Sequence, residues 1–132
     1  MIPIDVVYQN FPHCEQWRDE SFLGMLHEDA RLDMSAYWWL EWALVSLTNK
    51  DVNYPKHLIW PVFRIFSCIM NLLQANTNPA DGYVIARLTG TQDAEFKERE
   101  FTERVQLVFE GFFRGEVPDL TLAFDEENPL LR

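Results

Sequence analysis

Apolar side chains along most of this chain recur every three or four residues instead of alternating, which is the spacing of helices. The clearest register runs from about residue 92 to 114. There Phe101, Val105, Val108, Phe109 and Phe112 line one face, while Glu95, Glu98, Arg99, Thr102, Glu103, Gln106 and Glu110 cover the rest, and Gly115 supplies a stop. Residues 61–75 show the inverse pattern: Arg64, Ser67, Asn71 and Gln74 form one thin polar stripe on an otherwise apolar cylinder. Residues 35–49 are more apolar still, with Trp38, Trp42 and Val45 on one face and Leu40, Leu44 and Leu47 on the opposite one. Only Glu41 and Ser46 mark polar edges there, so this helix is expected at the centre of the core, capped by Asp33 or Ser35.

A further helix is expected over residues 12–28, with Pro12 in its first turn and Glu15, Asp19 and Glu20 in its N-terminal half; Ser21 or Gly24 is where it would divide. Residues 4–8, 83–88 and 120–124 alternate briefly, and 83–88 reads equally well as one more helix. The pattern therefore predicts a mainly α domain of four or five helices over residues 1–124, with at most a small accessory sheet. Residues 125–132 read as a solvated acidic tail.

Composition narrows the function classes. A chain of 132 residues, 14% of them aromatic, is long enough for one domain with an aromatic core. Asp and Glu number 21 against 11 Lys and Arg, a formal charge of -10 that repels nucleic acid and anionic membranes and suits a basic partner. The apolar stretches 36–47 and 58–73 are interrupted by Glu41 and by Pro61, Arg64 and Asn71, so no membrane span is expected. Two cysteines and no leader pattern suggest a cytoplasmic protein with free thiols. His13, Cys14 and His27 lack the close, regular spacing of structural zinc ligands, and no nucleophile elbow or glycine-rich phosphate loop is present, so neither metal nor cofactor is expected.

The segment His27-Glu28-Asp29-Ala30-Arg31-Leu32-Asp33 reads in two ways. It is either a solvated connection in which Asp33 caps the next helix and Arg31 offsets local repulsion, or part of an acidic recognition patch with Glu15, Asp19 and Glu20. Phe11-Pro12, the aromatic segment after it and Phe22-Leu23-Gly24-Met25-Leu26-His27-Glu28-Asp29 resemble the Phe-Pro … Tyr-x-His-x-Asp pattern of small helical immunity proteins from bacterial contact-dependent growth inhibition systems, with Met25 at the tyrosine position. The resemblance implies a cytoplasmic protein that binds a cognate toxin domain, commonly a nuclease, and blocks it without chemistry of its own; His27 and Asp29 would be its motif residues. The candidate partner-binding set is then Glu15, Asp19, Glu20, His27, Glu28, Asp29 and Asp33, with Trp39 as an aromatic anchor reaching the surface. Two other readings stay open. One is a small enzyme or ligand-binding protein with a pocket lined by Trp38, Trp42, Trp60 and Phe63, to which Glu41 or Arg64 adds a polar group. The other is an acidic adaptor that offers the helix of Phe101, Val105 and Phe109 to a partner helix.

Overall fold

The computed structural model describes residues 1–91, 97–122 and 126–131. It is mainly helical, with α1 (Pro3–Gln9), α2 (Phe22–Asp29), α3 (Met34–Leu47), α4 (Lys56–Thr77) and α5 (Glu98–Arg114), and a parallel pair of short strands, β1 (Arg31–Asp33) and β2 (Arg87–Thr89). Short 3-10 turns follow at Leu120–Leu122 and Pro129–Leu131. The N-terminal half of the expected fourth helix, 92–96, lies outside the described residues, as do 123 and 124 of the expected strand 120–124.

The first departure from expectation is at residues 4–8, which form helix α1 instead of a strand. Pro3 occupies the first turn, where its missing N–H needs no intrahelical partner, and Asp5 favours the same end through the helix dipole. Five residues of alternation do not distinguish a strand from two helical turns, and burial of Val6 and Val7 decides the matter. Of the helix expected over residues 12–28, only Phe22–Asp29 is helical. Residues 11–21 run as turns and bends, and Ser21 caps α2 by accepting a hydrogen bond from the Gly24 amide at 3.1 Å. A Cβ on Gly24 would stand 2.5 Å from the Arg18 carbonyl oxygen and 2.6 Å from that of Asp19, so the turn folds back onto α2 at a distance that only glycine tolerates. Asn10, itself buried, locks the two helices together: its side chain donates to the Val6 carbonyl and accepts from the Leu23 amide, each at 3.0 Å.

Asp33 carries two duties at the start of α3. One carboxylate oxygen accepts from the Ala36 amide at 2.9 Å, capping the helix, and the other accepts from the Thr89 hydroxyl at 2.6 Å, pinning β2 to β1. Of the expected segment 83–88, only Arg87 and Leu88 belong to a strand. Helix α3 contacts α1, α2 and α5, whereas α4 contacts α1, α2 and α5 from elsewhere, and α3 and α4 make no substantial contact. Phe22 and Phe101 meet the Tyr37 ring edge-on at 5.2 and 4.9 Å, which places the aromatic cluster where α2, α3 and α5 converge.

Helix α4 begins earlier than residue 61 and runs through Pro61. A proline at that position leaves the carbonyl of His57, four residues back, without its helical donor. The Tyr8 hydroxyl of α1 donates to that same oxygen at 3.0 Å, so a side chain from a neighbouring helix replaces the missing backbone bond. At 22 residues α4 is long and apolar enough by length and composition to cross a membrane, contrary to the expectation from the shorter stretch. Its Leu58, Val62, Ile65, Ile69 and Leu73 face the core, and Trp60 and Phe63 stack on one another outside it.

One polar expectation is also overturned. Glu41 is not on a solvated edge; it is fully buried and holds Arg104 of α5 through both carboxylate oxygens, at 2.7 and 2.8 Å. Arg104 also donates to the Glu126 carbonyl at 2.9 Å and lies 4.8 Å from the centre of the Trp38 ring. Burial opposes the charge on Arg104, but the two bonds to Glu41 outweigh it and raise the guanidinium pKa further. Burial, then the adjacent Glu41 charge, pushes the Tyr37 phenol well above its ordinary range. In the described part of the expected tail Glu127, Pro129 and Leu131 are exposed, while Asn128 between them is buried and donates to the Trp38 carbonyl and the Glu41 carboxylate, each at 3.0 Å.

Candidate functional site

The turns at residues 11–21, the C-terminal half of α2 and the middle of α4 enclose a cavity of about 480 Å³. Pro12, Trp17 and Leu23 make its apolar walls. His13 and Cys14 enter from the turns, His27 and Glu28 from α2, and Arg64 and Cys68 from α4, so both cysteines and two of the three histidines of the chain open onto one space. Arg64 and Cys68 reach it because they are four residues apart and share a helix face.

Glu15, Asp19, Glu20, His27, Glu28 and Asp29 are all exposed around this opening or on the elements that form it. The first three lie on turns and not on the helix whose spacing had placed them together. Asp19 is held by the Trp17 indole N–H, which donates to it at 3.0 Å, and His27 Nδ1 lies 3.0 Å from a Glu28 carboxylate oxygen. Asp33 is apart from this group and serves as the α3 cap described above. Arg31 forms no ion pair with the acids among the described residues; its guanidinium donates to the Met25 sulfur at 2.6 Å. Trp39 does reach the surface, 41% exposed, with Trp42 edge-on beside it at 5.4 Å and only half-buried.

Charge pairing separates this region from α5, though not from Asp5, Asp51, Asp81 and Asp119, which are also exposed and pair with no Lys or Arg among the described residues. On and around α5, Glu100, Glu103, Glu110 and Glu116 each pair with Lys97, Arg99 or Arg114. Among the described residues, Glu15, Asp19, Glu20, Glu28 and Asp29 pair with no Lys or Arg. Glu28 and Asp29 moreover sit in the last turn of α2, where the helix dipole disfavours anions by about 0.3–1 kcal/mol each. The fold gains nothing from acids at those positions.

The chemistry on offer is modest. Cys14 donates to the Gln16 side-chain oxygen at 2.6 Å and not to an imidazole, so the Cys–His pairing of an activated nucleophile is not assembled. Among the described residues no three His, Cys, Asp or Glu side chains converge as metal ligands. The aromatic pocket considered from sequence is not brought together: Trp38 lies under Arg104, Trp42 beside Trp39, and Trp60 and Phe63 are 56% and 50% exposed on a helix that barely meets α3. Phe101, Val105 and Phe109 are buried within the chain itself, which leaves α5 no apolar face for a partner helix. Sequence reasoning missed Cys68 as a cavity residue and assigned Arg64 to the aromatic pocket instead of this one; the polar stripe of α4 was visible, but its proximity to Cys14 and His27 depends on tertiary packing. The chain matches no protein-family model, no curated protein and no solved structure.

Proposed function

We propose that this is a non-enzymatic binding protein that neutralises a basic partner, a nuclease-type toxin domain, by covering its active site with the acidic surface of residues 15–29. The observation that carries the reading is the unneutralised set Glu15, Asp19, Glu20, Glu28 and Asp29, against the paired acids of α5. A nuclease site holds phosphates and is basic, so an opposing anionic surface speeds encounter and suppresses wrong partners. The resemblance of the segment ending at His27 and Asp29 to immunity proteins supports the same reading.

Co-expression with the protein encoded immediately upstream tests it. Rescue of a growth defect caused by that neighbour, together with a stable complex of the two purified chains, is expected. A neighbour that is neither toxic nor bound refutes the proposal.

A further inference from the structure

An aromatic projection stands beside the cavity, on the same helix. Trp60 and Phe63 are 56% and 50% exposed and stack on one another at 6.2 Å, with Ile59 exposed next to them. A single exposed apolar side chain needs no explanation, but a contiguous group that includes two large aromatics marks a contact surface. Lys56, Trp60, Phe63 and Arg64 share one face of α4. Arg64 also lines the cavity of about 480 Å³ whose apolar walls are Pro12, Trp17 and Leu23, and to which Cys14 and Cys68 add small apolar groups. A projection and a recess therefore lie side by side on one surface, with Arg64 between them.

We propose that this surface binds a second copy of the chain, in a two-fold dimer in which Trp60 and Phe63 of each copy fill the recess of the other. A projection that fits a recess on a distant face would build an open chain of copies; side by side, the two are matched reciprocally by one two-fold axis, and the assembly closes at two. The charges follow the same order along the surface. Acids flank the recess, whereas Lys56 lies one turn beyond Trp60 on the other side, and α4 has no Asp or Glu over its 22 residues. The axis that seats the rings turns the acidic end of each copy towards Lys56 of the other. It also brings together at the centre Glu28 and Arg64, opposite charges that line one cavity and form no ion pair with each other within the chain. Two rings per copy place the contact at the low end of specific interfaces, about 1,200 Å² or less in total, so the dimer is weak and reversible. It is a property of the free chain and does not depend on toxin binding.

Sedimentation velocity of the full-length protein from about 5 μM to about 1 mM tests it. The expected result is an average mass rising from 15.6 kDa towards twice that value, with a Kd on the order of 100 μM. Trp60→Ser, at an exposed position, should leave the circular dichroism spectrum unchanged and weaken the dimer at least about tenfold. In a mixture of isotope-labelled and unlabelled chains, intermolecular NOEs should join the Trp60 ring to Trp17 and Leu23 of the other copy. A mass of one chain up to about 1 mM, undiminished association of Trp60→Ser, growth beyond two copies, or NOEs joining the two Trp60 rings to each other would each overturn the proposal. So would a Trp60-dependent binding of the monomeric chain to phosphatidylcholine vesicles, which would assign the aromatic face to a membrane.

Discussion

Removing one partner of the Glu41–Arg104 pair is the sharpest perturbation that the core allows. Both side chains are almost wholly inaccessible, at 0% and 2% exposure, and two short bonds join them, with Asn128 closing the network on the Glu41 side. Replacing Arg104 by Met leaves a buried carboxylate without its cation, still accepting from Asn128, and the cost of such an uncompensated buried charge is about 3–5 kcal/mol. That is a large part of the roughly 5–15 kcal/mol that holds a domain of this size together, and it corresponds to a fall in Tm of roughly 10–15 °C. Glu41→Leu should cost less, because Arg104 keeps the Glu126 carbonyl and the Trp38 ring. The double variant Glu41→Leu/Arg104→Met should recover most of the loss, since two apolar groups of similar volume leave nothing unpaired. Urea unfolding of the four proteins, followed by far-UV circular dichroism, gives the cycle. A double variant as unstable as the sum of the single ones would refute the view that the pair acts as a unit.

Other consequences are equally open to measurement. Tyr8→Phe removes the donor that replaces the Pro61 amide; we expect about 1 kcal/mol of destabilisation and faster amide exchange in the first turns of α4, and unchanged exchange there would contradict the assignment. Gly24→Ala drives a Cβ into two backbone carbonyls and should cost about 1–3 kcal/mol by thermal unfolding, whereas Gly82→Ala, with open space around it, should be nearly neutral. Burial raises the Tyr83 phenol from 10.0 to about 12, and burial and then Glu41 raise Tyr37 well above its ordinary value. Stability from both is therefore complete below the unfolded value of 10.0 and is lost as pH rises through the folded ones; the urea midpoint should fall from about pH 10 upward, and Tyr83→Phe should flatten the part of that fall between pH 10 and 12.

Long, strongly periodic segments were the most legible. The face from Phe101 to Phe112, the stop at Gly115 and the Asp33 cap follow from spacing and local chemistry, because each is decided within a few residues. The misread segments are those in which a distant group makes the decision. Residues 4–8 become a helix through burial, Pro61 sits within α4 because Tyr8 supplies a donor to the His57 carbonyl 49 residues away in sequence, and Glu41 is buried because Arg104 lies opposite it. Glu41 did carry a local signal: a single acid on a helix apolar on opposing faces has little solvent to turn to. Of the candidate site, the acids of residues 15–29 were visible as a charge cluster, but their contrast with the paired acids of α5, and the Arg64 and Cys68 contributions to the cavity, appear only in three dimensions.

The claim that function resides in the acidic surface is tested most directly by hydrogen-exchange footprinting of this chain with and without the product of the neighbouring gene. Protection concentrated in residues 13–29, reduced when Glu15, Asp19 and Glu28 are changed together to Lys, and no protection on the exposed face of α5, is the predicted result. A footprint on α5, or on Trp60 and Phe63 of α4 with residues 13–29 unchanged, would contradict it.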